Sequence, residues 1–340
     1  MSTLEETGLF NRRDRLAEGW YWALPSAALA RSAVKPLRLC GRDLVLWRDA
    51  SGVPHAHDAH CPHMGAHLAQ GKVQGDRLQC FFHGWEYGAD GALAHIPCQT
   101  ALVPARVAAW PTAEAYGLIW VWTGPEARHP VPFIPELEGR PLRTRLGNRF
   151  VKGCHPNVVM VNAIDEQHFA TVHDLFVRLQ FEVHELNDNA ATWDNTTRVP
   201  TGRAWQRWIG RWYDGPLTYR MTYWNGTTGS VTVGPDAWHF HILFALRCND
   251  DGHTEGQTVL VTPRVGGLVG KLWNEVALSL SQAVGDYFAR GDTEVFQTIR
   301  WNFQHPLKAD RSIVRFVRHL ERQPAVTWGD WASVAASAHE

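Results

Sequence analysis

With 340 residues the chain is too long for an isolated electron-transfer module and long enough for two domains with cores of their own. Charged residues make up 20% of it, the net charge is −1 and the two signs are interspersed, so neither nucleic acid nor an anionic membrane is an expected partner. No segment approaches the ~20 apolar residues of a membrane span, the stretch MSTLEETGLFNRRDRLAEGW lacks an export signal's apolar core, and six scattered cysteines are too few for a disulfide framework; a cytoplasmic location is expected.

From Pro36 to Gly124 the text reads as short strands broken by turn signals. LRLCGRDLVLWRDASGVPHAHDA predicts two strands joined at Asp49 to Gly52, and WEYGADGALAHIP a hairpin turning at Ala89 to Gly91. This is a small all-β module. The proline-rich TGPEARHPVPFIPELEGRP that follows reads as a connector, placed at 125–142. Beyond it PNVVMVNAIDEQHFATVHDLF has helical apolar recurrence, whereas FEVHELNDNAATW, LTYRMTYWNGTTGSVTVG and WHFHILFALRCNDDGHTEGQTVLVTPR alternate like antiparallel strands. A stretch from about Val269 to Trp301 reads as a long helix. The second half is therefore α+β, with helices segregated from a meandering sheet.

Within the first module, CPHMGAHLAQGKVQGDRLQCFFH (61–83) offers Cys61 and His63, then Cys80 and His83. A tetrahedral zinc site is the plain alternative, but zinc modules usually pair two cysteines on one knuckle and two histidines on a helix. Here each loop supplies one of each, which suits a [2Fe–2S] centre with two thiolates on one iron and two imidazoles on the other. Gly65 and Gly84 relieve crowding beside the cluster, and Trp85 and Tyr87 can shield it. The stretch resembles a Rieske iron–sulfur domain, whose pattern is C-P-H-x-G followed by C-P-x-H-G-W, with Phe81 standing where that family commonly has proline. Histidine ligation puts such a cluster at roughly −150 to +300 mV, able to take electrons from an ordinary ferredoxin and pass them on.

A receiver for those electrons is offered by NAIDEQHFATVH (162–173), which carries Asp165, His168 and His173. Two imidazoles and a carboxylate on one face of an iron leave positions open for O2 and substrate. At 3.6 residues per turn His168 and His173 lie about 140° apart, so a distorted turn or a helix end is predicted between them. Together with the cluster loops, the whole chain resembles the terminal oxygenase subunit of a Rieske non-haem iron oxygenase, whose pattern is N-x-x-D-x-x-H-x-x-x-x-H. By that resemblance Asn162 lines the iron site, His168 and His173 bind Fe(II), and Asp165 joins the two metals, accepting from a histidine of each. The segment GDTEVFQTIRWNFQHPL resembles the family's late ligand element and makes Asp292 the third iron ligand, with Glu294 as second choice.

The resemblance further implies a helix-grip-like catalytic domain over 143–340, a Rieske domain over 36–124, a connector over 125–142, and an N-terminal segment 1–35 packing on the catalytic domain. It also implies a head-to-tail homotrimer. The expected enzyme monooxygenates, by hydroxylation or N-oxidation, an apolar aromatic or alicyclic small molecule with O2. Electrons from NAD(P)H must come through a separate reductase or ferredoxin, because the chain has no dinucleotide fingerprint and no plant-type ferredoxin cysteine run. The tail HPLKADRSIVRFVRHLERQ leans toward the steroid hydroxylase, cholesterol desaturase and arylamine oxygenase branch. O-demethylation, desaturation and oxidative cyclisation at the same site are the alternatives in kind; a non-catalytic zinc or Rieske electron-transfer protein is the alternative in class. His55, His57, His60 and His67 are expected to serve packing, and His239 and His241 to face a pocket or the core.

Overall fold

The computed structural model describes residues 8–175, 177, 179–199, 207–208 and 210–329. Contacts divide the chain into two units, Glu18–Val131 with Val326–Glu340, and Met1–Ala17 with Pro132–Ala325.

In the first unit Val34–Leu39, Arg42–Arg48, Pro54–Asp58 and Ala109–Trp110 form one antiparallel sheet, and Trp20–Pro25, Leu118–Trp122 and Thr112–Ala115 a second. Trp22, Trp47, Trp120 and Trp122 are fully buried between their strands. A third sheet, Lys72–Gln74, Arg77–Gln79, Glu86–Tyr87 and Leu93–His95, carries the cysteine–histidine loops. The predicted turns at Asp49–Gly52 and Ala89–Gly91 are present, but LRLCGRDL is itself a hairpin. It turns on Cys40 and Gly41, both at positive φ, and a cysteine there gives no turn signal.

The boundaries differ from expectation at both ends. Residues 18–35 belong to this unit because Trp20–Pro25 pairs with Leu118–Trp122. The C-terminal tail joins it too, since Trp328 donates its indole N–H to the Leu39 carbonyl at 2.8 Å and Arg42 sits over both the Trp110 and Trp328 rings.

The second unit is a seven-stranded antiparallel sheet ordered Leu142–Lys152, Thr254–Pro263, Phe240–Cys248, Thr228–Pro235, Leu217–Trp224, Ala190–Thr197 and Glu182–Glu185. Among the described residues, helices α1 (Pro156–Val161), α2 (Glu166–Val172), α3 (Gly267–Thr298) and α4 (Arg311–Glu321) serve it. The 32-residue α3 packs across the strands at 142–152, 240–248 and 254–263. On the other half of the sheet Trp193, Tyr223, Phe316 and Val317 form the core with α4. The N-terminal segment is tied here by Leu9 and Phe10, whose amides donate to the Glu321 carboxylate at 2.7 and 2.8 Å. No helix among the described residues is long and apolar enough to cross a membrane.

Trp193 has no exposed surface and meets Tyr223, Phe316 and the His319 ring. Trp193→Ala should cost about 3–5 kcal/mol, visible in urea unfolding as a lower midpoint at unchanged slope.

Candidate metal centres and cavity

The two cluster loops are built alike. In each the cysteine carbonyl accepts from the amide four residues on, Gly65 to Cys61 at 2.9 Å and Gly84 to Cys80 at 3.1 Å. Both glycines have positive φ, +75° and +68°, which closes each loop so that its cysteine and histidine emerge together. Cys61 and Cys80 are buried, while His63 and His83 are exposed with ring centroids 4.6 Å apart. Trp85 stacks on His63 at 4.2 Å and 7°. The Tyr87 hydroxyl lies 3.0 Å from Cys61 Sγ, and burial raises its pKa, so it stays protonated and would donate to the sulfur of a Cys61 thiolate. Burial likewise raises the Cys80 thiol, with Cys61 beside it adding to the effect.

These facts test zinc against a cluster. A single tetrahedral ion gathers its donors within about 4 Å of one another. Among the described residues, three or more donors close to that scale only at His168, His173 and Asp292. Cys61 and Cys80 lie together on the buried side, and His63 and His83 together on the exposed side, a thiolate pair and an imidazole pair as the two irons of a [2Fe–2S] centre would take them.

The second centre is assembled by breaking a helix. Asp165 is the N-cap of α2, its Oδ1 accepting from the amides of Gln167 and His168 at 2.9 and 3.2 Å. The helix ends at Val172, leaving His173 at its C-cap, and Asp174 follows at positive φ. That end, expected from the 140° offset, lets both imidazoles face one point. Tyr287 donates to the His173 carbonyl at 3.2 Å and fixes the end from α3. Gly291 lets α3 come close: a Cβ there would lie 2.8 Å from Val172 Cγ1 and 3.2 Å from His173 Cε1.

His168 Nε2 and His173 Nε2 are 3.0 Å apart and lie 2.9 and 3.1 Å from Asp292 Oδ1. An octahedral ion with bonds of about 2.1 Å spaces neighbouring donors about 3.0 Å apart, a tetrahedral one about 3.4 Å. The triangle matches three cis positions of an octahedron. Asp292 Oδ1 is also buried with no aligned hydrogen-bond donor, an orphan that a cation would satisfy. Burial pushes the Asp292 carboxyl up, but the two imidazoles outweigh it and hold it at about 2, so it is anionic. The residues present therefore fit a divalent ion such as Fe(II). Asn162 Nδ2 stands 3.1 Å from His168 Nε2, at the edge of the triangle. Glu294 lies on the exposed side of α3 and is not part of it. Asp165 directs its cap oxygen to backbone; among the described residues its Oδ2 accepts no hydrogen bond.

The triangle opens on a cavity of about 450 Å³. Phe150, Met221, Phe244, Leu260, Phe288 and Phe296 give it an apolar wall. Met221 and Phe244 belong to MTYW and WHFHILFAL, aromatic strands from which an apolar pocket is expected; the other four were not legible, because strand alternation shows that one face is apolar without showing which face curves round a void. Lys152 also lines it, donating to Thr293 Oγ1 at 2.8 Å between the Phe150 and Phe296 rings; burial lowers its pKa while Asp292 opposes the drop. His239 and His241 belong to a separate network with Glu136 and Thr232. His55 binds Asp49, His57 binds the Ala89 carbonyl and His60 packs on His67, all structural contacts.

Residues 19–111 match the family model described as the Rieske [2Fe-2S] domain. The chain is 33% identical over 183 residues to a 3-ketosteroid-9-alpha-monooxygenase, oxygenase component, from Rhodococcus rhodochrous, covering 52% of this chain and 48% of that one. It is 34% identical over 209 residues to the aminopyrrolnitrin oxygenase PrnD of Pseudomonas fluorescens, covering 58% and 57%. This chain thus spans about half the length of the curated relatives it matches. Its fold is that of Pseudomonas putida CBB5 NdmA, solved as a QL mutant with caffeine, at TM-score 0.67 and 16% identity over 92% of this chain and 96% of that one. A cluster-binding domain, an α+β domain with a buried two-histidine, one-carboxylate triangle and these relatives agree: the chain carries a Rieske [2Fe–2S] domain and is a relative of the Rieske non-haem iron oxygenases.

Proposed function

We propose that this chain is an oxygenase that uses O2, and electrons from a separate reductase or ferredoxin, to hydroxylate or N-oxidise an apolar aromatic or alicyclic small molecule. One observation carries the proposal: three metal-donor atoms at octahedral spacing stand in the wall of an apolar cavity, in a chain that also holds a Rieske domain. His168, His173 and Asp292 would hold the iron, and Cys61, His63, Cys80 and His83 the cluster. When bound, the iron supplies reductive O2 activation and the cluster supplies single electrons.

The chain's own residues do the rest. His168, His173 and Asp292 would hold the ion from one side, with the apolar cavity beside it where O2 and substrate could be placed together. The aliphatic and aromatic wall binds an apolar molecule by burial and keeps water from the reacting position. Tyr87, placed to donate to a Cys61 thiolate, would favour the reduced, more negative form of a cluster held there. Asp165, its Oδ2 unused among the described residues, is the carboxylate that would accept from a histidine of each centre and carry protons and electrons between them. This role needs neighbouring copies, hence a homotrimer. A cytoplasmic setting is part of the same proposal, since none of the six cysteines forms a disulfide.

The direct test is iron and acid-labile sulfide per chain on anaerobically purified protein, with an EPR spectrum after dithionite. About three irons and two sulfides with a Rieske-type signal are expected; zinc without sulfide would refute the assignment. His173→Ala should then lose about one iron in three and keep both the sulfide and the signal. Gly291→Ala, which drives a methyl into Val172 and His173, should lower mononuclear iron occupancy in the same way without altering the sulfide count. In Asp165→Ala both centres should stay loaded and the cluster should still reduce, while substrate-dependent O2 consumption collapses; normal turnover there would sink the proposed link.

A further inference from the structure

The cavity contains one charged group whose partners leave it incomplete. Asp286 lies on α3 and lines the wall. Its Oδ1 accepts from Asn148 Nδ2 at 2.8 Å and from Gln282 Nε2 at 2.7 Å. Both amides bind the same oxygen, so the carboxylate is held in one orientation while Oδ2 accepts nothing among the described residues. No described cation pairs with it. The two cationic side chains lining the cavity are engaged elsewhere, Lys152 with Thr293 and Arg149 with Glu255. A carboxylate has about four acceptor sites, and a fixed one without a cation is a site for a charge-assisted donor.

Its position sets a length. Asp286 precedes Asp292 by six residues on a continuous helix, about 9 Å along the axis and about 120° round it, so 9 Å is the least separation of the two carboxylates. Gly285, just before Asp286, and Ala289, between the two carboxylates, line the cavity with almost no side chain, leaving a slot walled by α3. The fit there is close, since a Cβ at Gly285 would meet Ile242 Cδ1 at 3.2 Å. Asn148 is exposed and Asp286 half-buried, so this end of the slot is its mouth and the Asp292 end its floor.

We infer that the substrate is an apolar ring system bearing a basic amine roughly 9 Å or more from the position that reacts, with Asp286 as the positioning residue that receives the ammonium. This rests on the oxygenase reading for which end of the ligand reacts, but the anchor itself is tested by binding alone. The protein is loaded with iron and kept under argon without reductant. Calorimetric titrations then compare para-(aminomethyl)biphenyl, para-(hydroxymethyl)biphenyl, para-methylbiphenyl and biphenyl-para-carboxylate on wild type, Asp286→Asn and Asn148→Ala.

The amine should bind best to wild type. Asp286→Asn should weaken it roughly tenfold or more, the size of a lost charge-assisted hydrogen bond, while shifting para-methylbiphenyl less than about threefold and leaving iron content unchanged. Asn148→Ala, which frees the carboxylate without removing it, should fall between. Equal affinities for all four probes, strong or undetectable, overturn the inference. So does an equal loss for amine and hydrocarbon in Asp286→Asn, which marks a structural role, and so does preference for the carboxylate, which transfers the anchor to Lys152. Amine selectivity in a protein that then consumes no O2 would leave the anchor standing and refute the oxygenase reading.

Discussion

Three lone-pair atoms within 3.1 Å of one another, with no aligned donor on the buried carboxylate oxygen, are the constraint around which the second unit is organised. Two imidazole nitrogens and a carboxylate oxygen repel unless a proton or a cation lies among them. Several features hold them there against that repulsion. Asp165 caps α2 and fixes its start, the helix stops at Val172 to swing His173 round, Tyr287 holds the His173 carbonyl, and Gly291 lets α3 bring Asp292 within reach. Gln167 adds a tie to Asp310 at 2.9 Å, next to α4. Each contact is modest alone, about 0.5–1.5 kcal/mol. Together they leave the ion little to organise when it binds.

The two centres solve opposite problems. In the Rieske unit the cysteines are buried and the histidines exposed, so the sulfur-bound side of the cluster is shielded and the imidazole side faces out. A single-electron carrier needs that asymmetry, because electrons must leave on one side while the thiolates stay protected from oxidation. In the other unit His168 and His173 are both buried, and the face left open looks on an apolar void. Such surroundings strengthen electrostatic interactions and exclude side reactions with water.

What the sequence disclosed followed the range of the interactions. Cluster loops are local, so C-x-H and C-x-x-H spacing with glycines at 65 and 84 singled out Cys61, His63, Cys80 and His83 as the candidate ligands directly. His168 and His173 were legible as a pair, and their misfit to an ideal helix located the helix end before any coordinates did. Asp292 needed a motif, because nothing local tells an acidic residue facing a metal from Glu294 facing solvent. Non-local pairing was hidden: WYWALP could not announce that it pairs with LIWVW, nor the tail that Trp328 packs with Trp110. The Cys40–Gly41 hairpin was missed for a different reason, a non-glycine residue at positive φ in a turn usually written with asparagine or aspartate. Cavity walls were least legible. Leu243 and Phe244 are neighbours on one strand, yet only the second lines the void, and sheet curvature decides which side that is.

Metal binding and folding are linked in both units, though by different means. Each cluster loop is closed by its own turn, and Cys61 and Cys80 pack in a core with Val45, Trp47, Leu68 and Tyr87, while His63 and His83 stand outside that core. The iron triangle instead hangs on Phe169, Tyr219, Phe288 and the sheet behind them, a packed apolar core that exists without an ion. A metal removed from either centre would therefore leave a packed core behind it, and His63 and His83, which that core does not hold, would loosen first.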